Sequence, residues 1–327
     1  MFRYNAIDRD EVKRFETPFN EDLTEVHLED TSVNPYGSEP WNPTHCVMPA
    51  MYAEYADRIR NLTVYDDDVW VVTFPKAGTT WTQEMVWLIH RDLDYKTASA
   101  VNLTDRAIFL EICAFFSKIE LPDTISMVDR MPRPRHIKSH LPLALLPKQL
   151  WTVKPKIVYT ARNPKDVTTS YMHHYKNLHA FKGTKEDYLD GILADRIVFC
   201  PQIKHAADFW PLSTRDHVLF LHFEDMKRNL PEVLKKVCAF FGKSYTPSEL
   251  AELKQHLSFD IMKENKSANN QALANKLQDS MGVNAGFQFM RKGEVGSYKK
   301  ELPEEFIARL NDLVESELQG TTFKYRE

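Results

Sequence analysis

The chain has 327 residues, of which 43% are hydrophobic, and it carries 42 basic and 46 acidic side chains. A chain of this length can bury a large core in one domain or two. The net charge of −4 argues against a general nucleic-acid binder, which usually has a basic excess, although it leaves room for a local basic pocket.

The N-terminal residues and the cysteines bear on the compartment. The first ten residues contain no apolar run of the kind found in signal peptides, and no window approaches the length of a membrane span. The four cysteines are widely spaced without a Cys-x-x-Cys pair, which predicts buried free thiols instead of a zinc site or a disulfide framework. We therefore expect a soluble cytoplasmic protein that binds neither membranes nor nucleic acid.

The order of charged and apolar segments predicts the domain organisation. Residues 1–45 are charged, with scattered prolines and aromatics, and predict an irregular arm laid over a single domain at 46–327. Within that domain, helical patterns separate four short strands, of which those at 69–74, 156–160 and 217–222 are apolar and the second, at 137–140, is a short extended segment. This alternation predicts an α/β domain with a central parallel sheet flanked by helices. Ligands of such sheets bind at the carboxyl ends of the strands.

The sequence TFPKAGTTW at residues 73–81 joins the first of these strands to a helix. Main-chain N–H groups, the helix dipole and Lys76 together predict a P-loop-like anion cradle, the alternative being an ordinary loop with a surface lysine. Lys76 precedes Gly78, so the loop differs from the nucleotide-triphosphate loop, in which the lysine follows the glycine. Thr80 and Gln83 fit a capping box at the start of the helix.

Lys138 and His140 lie on the second strand, where residues two apart point to the same side. The lysine charge disfavours the cationic imidazole, which would keep His140 available as a base near neutral pH. An edge strand carrying an ordinary histidine is the alternative.

A third pair, Arg162 and Ser170, belongs to the strand end and the helix that follow. Asn163 suits the N-cap of this helix. An arginine with a hydroxyl suits a phosphate monoester, while an ion pair with Asp166 is the alternative for Arg162.

A basic cluster at 289–293 follows the polar segment 264–286, for which we favour a mobile lid over a solvated helical excursion.

Together these segments closely resemble the cytosolic sulfotransferases, which use 3′-phosphoadenosine 5′-phosphosulfate (PAPS). The resemblance begins near Arg58 and covers the rest of the chain. It rests on five ordered motifs, at residues 73–81, 138–142, 159–167, 223–226 and 291–296.

The resemblance implies a role for each motif. Lys76 would stabilise charge on the bridging oxygen with help from Lys138, and His140 would take the proton of the acceptor hydroxyl. The 5′-phosphosulfate loop would comprise Lys76, Ala77, Gly78, Thr79, Thr80 and Trp81. The 3′-phosphate would contact Arg162, Ser170, Arg291, Lys292 and Gly293. The remaining nucleotide contacts would be Phe223, Leu257, Ser258, Phe259, Met262, Phe289 and Met290, with Trp81, Phe223 and Phe259 around the adenine. Because the sulfuryl group carries little negative charge, fixed cations and N–H groups would suffice without a metal.

Several positions depart from the family pattern. Ala77 stands where serine is usual, Phe223 where tyrosine is usual and Leu257 where threonine is usual. The usual Asp-Trp after the basic cluster is Ser-Tyr at 297–298, and the short C-terminal dimer motif is not kept. The resemblance therefore does not imply dimerisation by that route.

The candidate acceptor pocket is aromatic and consists of Phe115, Phe116, Tyr171, His174 and Tyr175. Such a pocket suits phenols, steroids or other lipophilic alcohols. For an allylic alcohol, the sulfate ester could leave again with net dehydration. Two other functions stay open, a non-catalytic binder of a lipophilic ligand or nucleotide and an ATP-dependent kinase. The presence of Lys76, Lys138 and His140 together favours the enzyme.

Overall fold

The computed structural model of the protein describes residues 1–17, 22–116, 119–282 and 286–327. Its centre is a five-stranded parallel sheet in the order β5-β6-β4-β7-β8. The strands are β4 (Val69–Thr73), β5 (Ile108–Phe109), β6 (His136–Ser139), β7 (Lys156–Ala161) and β8 (Val218–His222). The predicted α/β class and parallel sheet are confirmed.

Successive residues of a strand point to opposite faces of a sheet, and here both faces are apolar. Trp70 and Val72 pack into one buried cluster, while Val69 and Val71 pack into another. Helices cover both clusters. Since a strand buried on both faces reads as a continuous apolar run, this arrangement explains the apolar strands of the sequence.

The helices are named in chain order. They are α1 (Arg9–Val12), α2 (Ala53–Arg60), α3 (Thr79–His90), α4 (Tyr95–Ala100), α5 (Leu103–Arg106), α6 (Thr124–Asp129), α7 (Leu150–Val153), α8 (Pro164–Leu178), α9 (Lys185–Leu193), α10 (Gln202–Phe209), α11 (Phe223–Arg228), α12 (Leu230–Phe240), α13 (Pro247–His256), α14 (Phe259–Glu264), α15 (Gln271–Met281) and α16 (Glu304–Glu317). Short 3-10 turns lie at Ala50–Tyr52, Ile112–Ala114, Trp210–Thr214 and Ser297–Lys300. Among the described residues no helix is both long enough and apolar enough to cross a membrane.

The description of residues 1–45 as irregular was wrong for two stretches. β1 (Phe2–Ala6) and β2 (Leu23–Leu28) pair in antiparallel fashion, and β2 pairs in turn with β3 (Cys46–Pro49). These strands gain their backbone hydrogen bonds from partners far away in the sequence, which local composition does not reveal. The division of the chain at residue 45 remains a prediction.

The two predicted helix starts had different outcomes. Asn163 caps α8, where its Oδ1 accepts from the Lys165 N–H at 3.0 Å. The capping box predicted for α3 was wrong, because Gly78 occupies the cap position without a side-chain hydrogen bond. The Thr80 hydroxyl instead accepts from Asn270, and the Gln83 amide donates to a backbone carbonyl.

Segment 264–286 contains α15, whose apolar side chains Ala274 and Leu277 are buried. The segment is therefore helical in part, and one face of that helix is packed instead of solvated. Its movement as a lid remains a prediction.

A buried ion pair joins the amino ends of β4 and β6. Arg135 donates to the Asp68 carboxylate from Nε at 2.8 Å and from Nη2 at 2.5 Å, and both side chains are 0% exposed. The Val69 N–H also donates to the Arg135 carbonyl at 2.8 Å. These contacts align the two central strands.

We predict that Asp68→Ala lowers the free energy of unfolding by about 3–5 kcal/mol, because it leaves a buried guanidinium without its counter-ion. The control is Asp66→Ala, whose carboxylate pairs with Arg133 at 2.9 Å but is 86% exposed, and which should cost at most about 1 kcal/mol. Urea denaturation of the two variants measures the difference. A loss of similar size in both would contradict the structural role of the buried pair.

Candidate active site

The carboxyl ends of β4, β6 and β7 open into one cavity. Its walls include most of the predicted site residues, drawn from segments far apart in the sequence. They are Lys76, Gly78, Thr79, Thr80, Trp81, Phe115, Phe116, Lys138, His140, Arg162, Ser170, Tyr171, His174, Phe223, Leu257, Phe259, Met262, Phe289, Met290, Arg291, Lys292 and Gly293. The parallel arrangement thus brings the separate motifs to one site.

The loop between β4 and α3 has an unusual backbone. Lys76 has φ +66° and Gly78 has φ +103°, so both lie in the left-handed region. A Cβ on Gly78 would stand 2.7 Å from the Phe223 ring, which only glycine avoids. At the start of α3 the first N–H groups have no acceptor within the helix, and the positive end of the helix dipole faces the cavity. The loop therefore has the properties of an anion cradle.

His140 is held in one tautomer by the main chain. Its Nδ1 lies 2.8 Å from the Thr73 carbonyl oxygen, which can only accept, so Nδ1 carries the proton. Nε2 is then the nitrogen with a free lone pair. Burial, reinforced by the charge of Lys138, holds the pKa of the imidazole well below its usual range. His140 is consequently neutral at pH 7 and can act as a base.

Further hydrogen bonds fix the backbone of His140. Its N–H donates to Glu111 Oε1 at 2.5 Å, and its carbonyl accepts from His205 Nε2 at 2.9 Å. His205 Nδ1 in turn lies 2.8 Å from the Tyr159 hydroxyl. This network was not predicted, because Glu111 and His205 lie outside the motifs and the motif at 159–167 does not indicate which side chain Tyr159 contacts.

Two lysines reach the same cavity as His140. Lys76 Nζ lies 4.2 Å from the centre of the Phe289 ring, and Lys138 Nζ lies 3.9 Å from that of Phe109. Burial and the neighbouring cations, chiefly Arg162, lower the pKa of Lys76 to about 7. Burial lowers the pKa of Lys138 to about 8.

Arg162 does not form the ion pair with Asp166 that was the alternative. Its Nη1 donates to the Lys76 carbonyl at 3.1 Å and its Nη2 to the Glu294 carbonyl at 2.9 Å, while its buried Nε has no hydrogen-bond partner within the described part of the chain. Asp166 accepts instead from the N–H groups of Gly296 and Tyr298. A buried guanidinium N–H without a partner is the feature expected where an anion binds.

The basic cluster is held by one carboxylate outside the predicted set. Arg291 Nη1 and Lys292 Nζ lie 2.6 Å and 3.2 Å from Glu301 Oε1, and His173 Nε2 lies 2.6 Å from Glu301 Oε2. Despite partial burial, these hydrogen bonds lower the pKa of Glu301 to about 2. Glu301 therefore remains ionised and holds both cations at the rim of the cavity.

Aromatic rings lie close to the two glycines of the predicted nucleotide site. Phe223 packs edge-on against Trp81 with ring centres 5.7 Å apart, and Arg162 lies over its face at 4.3 Å. At Gly293 a Cβ would stand 2.4 Å from the Phe259 ring. Two of the predicted nucleotide contacts, Ala77 and Ser258, are not part of the cavity lining. Ala77 is buried in the core, and Ser258 is the N-cap residue of α14.

The end of the cavity where we expect the acceptor is lined by Phe115, Phe116, Tyr171 and His174, whereas Tyr175 is not part of the lining. The Tyr175 ring is buried against Tyr188 and its hydroxyl donates to the Phe15 carbonyl at 3.3 Å. Tyr175 thus faces the N-terminal segment, and because the position of that segment depends on tertiary contacts, the local sequence does not predict this packing. The sequence interpretation missed other lining residues, namely Phe109, Ile112, Leu178, His179, Phe199, Asn270, Leu273, Ala274 and Leu277.

A sequence model of the sulfotransferase domain matches residues 66–322. The chain belongs to the sulfotransferase family. It is 33% identical over 291 residues to the luciferin sulfotransferase of Photinus pyralis, a match that covers 83% of this chain and 77% of that protein. It is also 35% identical over 250 residues to sulfotransferase 1A1 of Mus musculus, which covers 76% of this chain and 83% of the relative.

Solved structures share the sulfotransferase fold over the whole chain. The complex of retinol dehydratase with retinol and PAP has a TM-score of 0.84 and 22% sequence identity, covering 99% of both chains. The complex of retinol dehydratase with androsterone and the inactive cofactor PAP has a TM-score of 0.83 and 23% identity, covering 99% of this chain and 98% of that one.

The depressed pKa of Lys76 predicts that the binding of adenosine 3′,5′-bisphosphate (PAP) takes up protons. A bound anion stabilises the ammonium and raises this pKa from about 7, so the uptake should be substantial at pH 8 and small at pH 6. Affinity should fall as the pH rises above 7. Calorimetry in two buffers of different ionisation enthalpy measures the protons bound.

Lys76→Met should lose most of this uptake at pH 8. Lys154→Met is the control, because Lys154 lies before β7, at the opposite end of the sheet from the cavity. Equal uptake in the wild type and Lys76→Met would assign the protons to another group and contradict the prediction.

Proposed function

We propose that this cavity is the active site of a PAPS-dependent sulfotransferase, in which His140 deprotonates the hydroxyl of a small lipophilic acceptor. The observation that best supports this proposal is the geometry of His140. Its Nδ1 proton is committed to the Thr73 carbonyl, which leaves Nε2 to receive a proton beside two lysines. Membership of the sulfotransferase family establishes the reaction as sulfuryl transfer from PAPS to a hydroxyl, and the residue roles are our assignment.

The residues of the cavity fit the donor. PAPS supplies an activated sulfuryl group attached to the 5′-phosphate of a nucleotide that also carries a 3′-phosphate. We assign the 5′ end to the loop at 76–81 and the start of α3, where N–H groups and Lys76 face the cavity. We assign the 3′-phosphate to Arg162, Ser170, Arg291 and Lys292. The unpartnered Nε of Arg162 supports this assignment, as do the two glycines that admit aromatic rings.

Charge explains why these residue types are needed. Sulfuryl transfer develops negative charge on the leaving phosphate oxygen, and preorganised cations and N–H dipoles stabilise such charge most strongly where water is excluded. Lys76 and Lys138 have lowered pKa values because burial and, for Lys76, neighbouring cations disfavour the ammonium. An anion beside them reverses that penalty and keeps both lysines protonated.

The acceptor is proposed from the walls of the cavity. Phe109, Phe115, Phe116 and Phe199 line this end, so an apolar scaffold with one reactive hydroxyl fits best. Similar proteins point the same way, since one is a luciferin sulfotransferase and two solved structures are complexes with retinol and androsterone. A phenol, a steroid or another lipophilic alcohol is the proposed acceptor.

Several further assignments complete the proposal. The enzyme works in the cytoplasm, its catalytic domain spans 46–327, and it needs no metal. Among the described residues no group of three or more His, Cys, Asp or Glu side chains is placed to hold a metal ion. Activity in excess chelator tests the metal assignment directly. The kinase alternative predicts ATP and magnesium dependence instead, and the non-catalytic binder predicts no turnover.

The test is transfer of labelled sulfate from PAPS to a panel of phenols, steroids and alcohols. We expect turnover in the wild type and a loss of kcat of at least about 100-fold in His140→Ala, because the general base is removed. PAP binding should persist in that variant. The matched control is His217→Ala, at the amino end of β8, which should retain turnover.

Two outcomes would contradict the proposal. One is undiminished turnover in His140→Ala, which would move the role of base to another group. The other is the absence of labelled product from every acceptor with a correctly folded wild type, which would favour the binder.

A further inference from the structure

The cavity is lined by two imidazoles that the proposed mechanism does not use, those of His174 and His179. His174 lies on α8, one turn after Ser170, and lines the cavity. Its Nδ1 is buried and has no hydrogen-bond partner among the described residues. Its neighbours are rings, with centres at 5.4 Å for His179, 5.8 Å for Phe289 and 5.9 Å for Tyr171.

Two other polar groups near this end of the cavity have fixed partners. The Tyr171 hydroxyl donates to the Val198 carbonyl at 3.3 Å, and the His140 Nδ1 is bound to Thr73. A buried nitrogen without a partner has lost its hydration in water and gained no hydrogen bond in return. A ligand that supplies the missing hydrogen bond recovers that cost, whereas an apolar ligand does not.

His174 is a neutral group in this pocket. Burial, followed by the charges of Lys76 and His179, holds its pKa well below the usual range. A neutral imidazole offers one N–H donor and one lone pair, so it pairs with a hydroxyl or a carbonyl without any transfer of charge. A cationic group is disfavoured there by Lys76, and a carboxylate would have to leave water for an aromatic pocket.

We propose that His174 is a specificity-determining residue that hydrogen-bonds a second, uncharged oxygen group of the acceptor. This inference rests on the proposed function. The reactive hydroxyl lies at His140 and the second oxygen at His174, with the aromatic walls around the scaffold between them. The preferred acceptors are therefore apolar alcohols or phenols that carry an additional carbonyl or hydroxyl group.

The test compares acceptors matched except for one oxygen. The first pair is a steroid alcohol with and without a ketone at the opposite end, and the second is a phenol with and without a ketone in its para side chain. For the wild type we expect kcat/KM to be about 10-fold higher for the ketone than for the matched acceptor without it. This ratio is the effect expected of one hydrogen bond in a desolvated site. The ratio is measured with labelled PAPS.

Three variants identify the side chain responsible. His174→Phe keeps a ring of similar shape, and should bring the ketone-to-parent ratio close to one. His174→Asn keeps a neutral donor and acceptor, and should retain part of the preference. His217→Phe is the matched control outside the cavity and should keep the wild-type ratio. PAP binding by calorimetry confirms that each variant is folded.

The results separate this inference from the function beneath it. An equal ratio in the wild type and His174→Phe overturns the role of His174 in selectivity. A loss of equal size for both members of a pair also overturns it, because that result places His174 on the donor or in the packing. Absence of transfer to any acceptor by the folded wild type overturns the proposed function, and the inference falls with it.

Discussion

The site depends on positive charge that the protein itself does not neutralise. Lys76, Lys138 and Arg162 face one cavity, and no carboxylate oxygen of the described residues lies within 4 Å of their charged nitrogens. Burial, reinforced by the neighbouring cations, lowers the pKa of Lys76 to about 7. Such an arrangement is costly in an empty pocket and favourable around a ligand with two phosphate-type groups. The charge of the cavity therefore suits the anionic donor that we propose.

The parallel sheet makes this concentration of charge possible. β4 pairs with β6 on one side and with β7 on the other, so the residues after Thr73, Ser139 and Ala161 emerge together. The buried pair of Arg135 and Asp68 aligns the opposite ends of β4 and β6. The amino ends of the strands thus carry a buried ion pair, while the carboxyl ends lead to the cations and His140 of the cavity.

The sequence predicted those parts of the site that follow from local pattern. The strands and the Asn163 cap of α8 depend on residues close together in the chain and are confirmed, whereas anion binding by the loop at 76–81 remains a prediction. Family resemblance added the link between distant motifs, and the match to the sulfotransferase domain confirmed it. The lysine effect on His140 was also predicted, although burial makes the larger contribution to its lowered pKa.

What the sequence did not reveal depends on tertiary contacts. The strands β1 and β2 form because they find partners across long loops. Tyr171 and Tyr175 are one helical turn apart on α8, yet Tyr171 reaches the cavity and Tyr175 packs beneath the N-terminal segment. The support of His140 by Glu111 and His205 joins three distant segments. No local pattern distinguishes such residues from ordinary core.

In the proposed function the uncompensated cations form a site for a nucleotide with a 3′-phosphate. The decisive measurement is calorimetry of PAP against 5′-AMP, with ATP plus magnesium as a third ligand. We expect PAP to bind at least about 100-fold more tightly than 5′-AMP, since the 3′-phosphate gains several charge-assisted hydrogen bonds. Arg162→Ala should remove most of that difference. Equal affinity for PAP and 5′-AMP, or a preference for ATP with magnesium, would contradict the account.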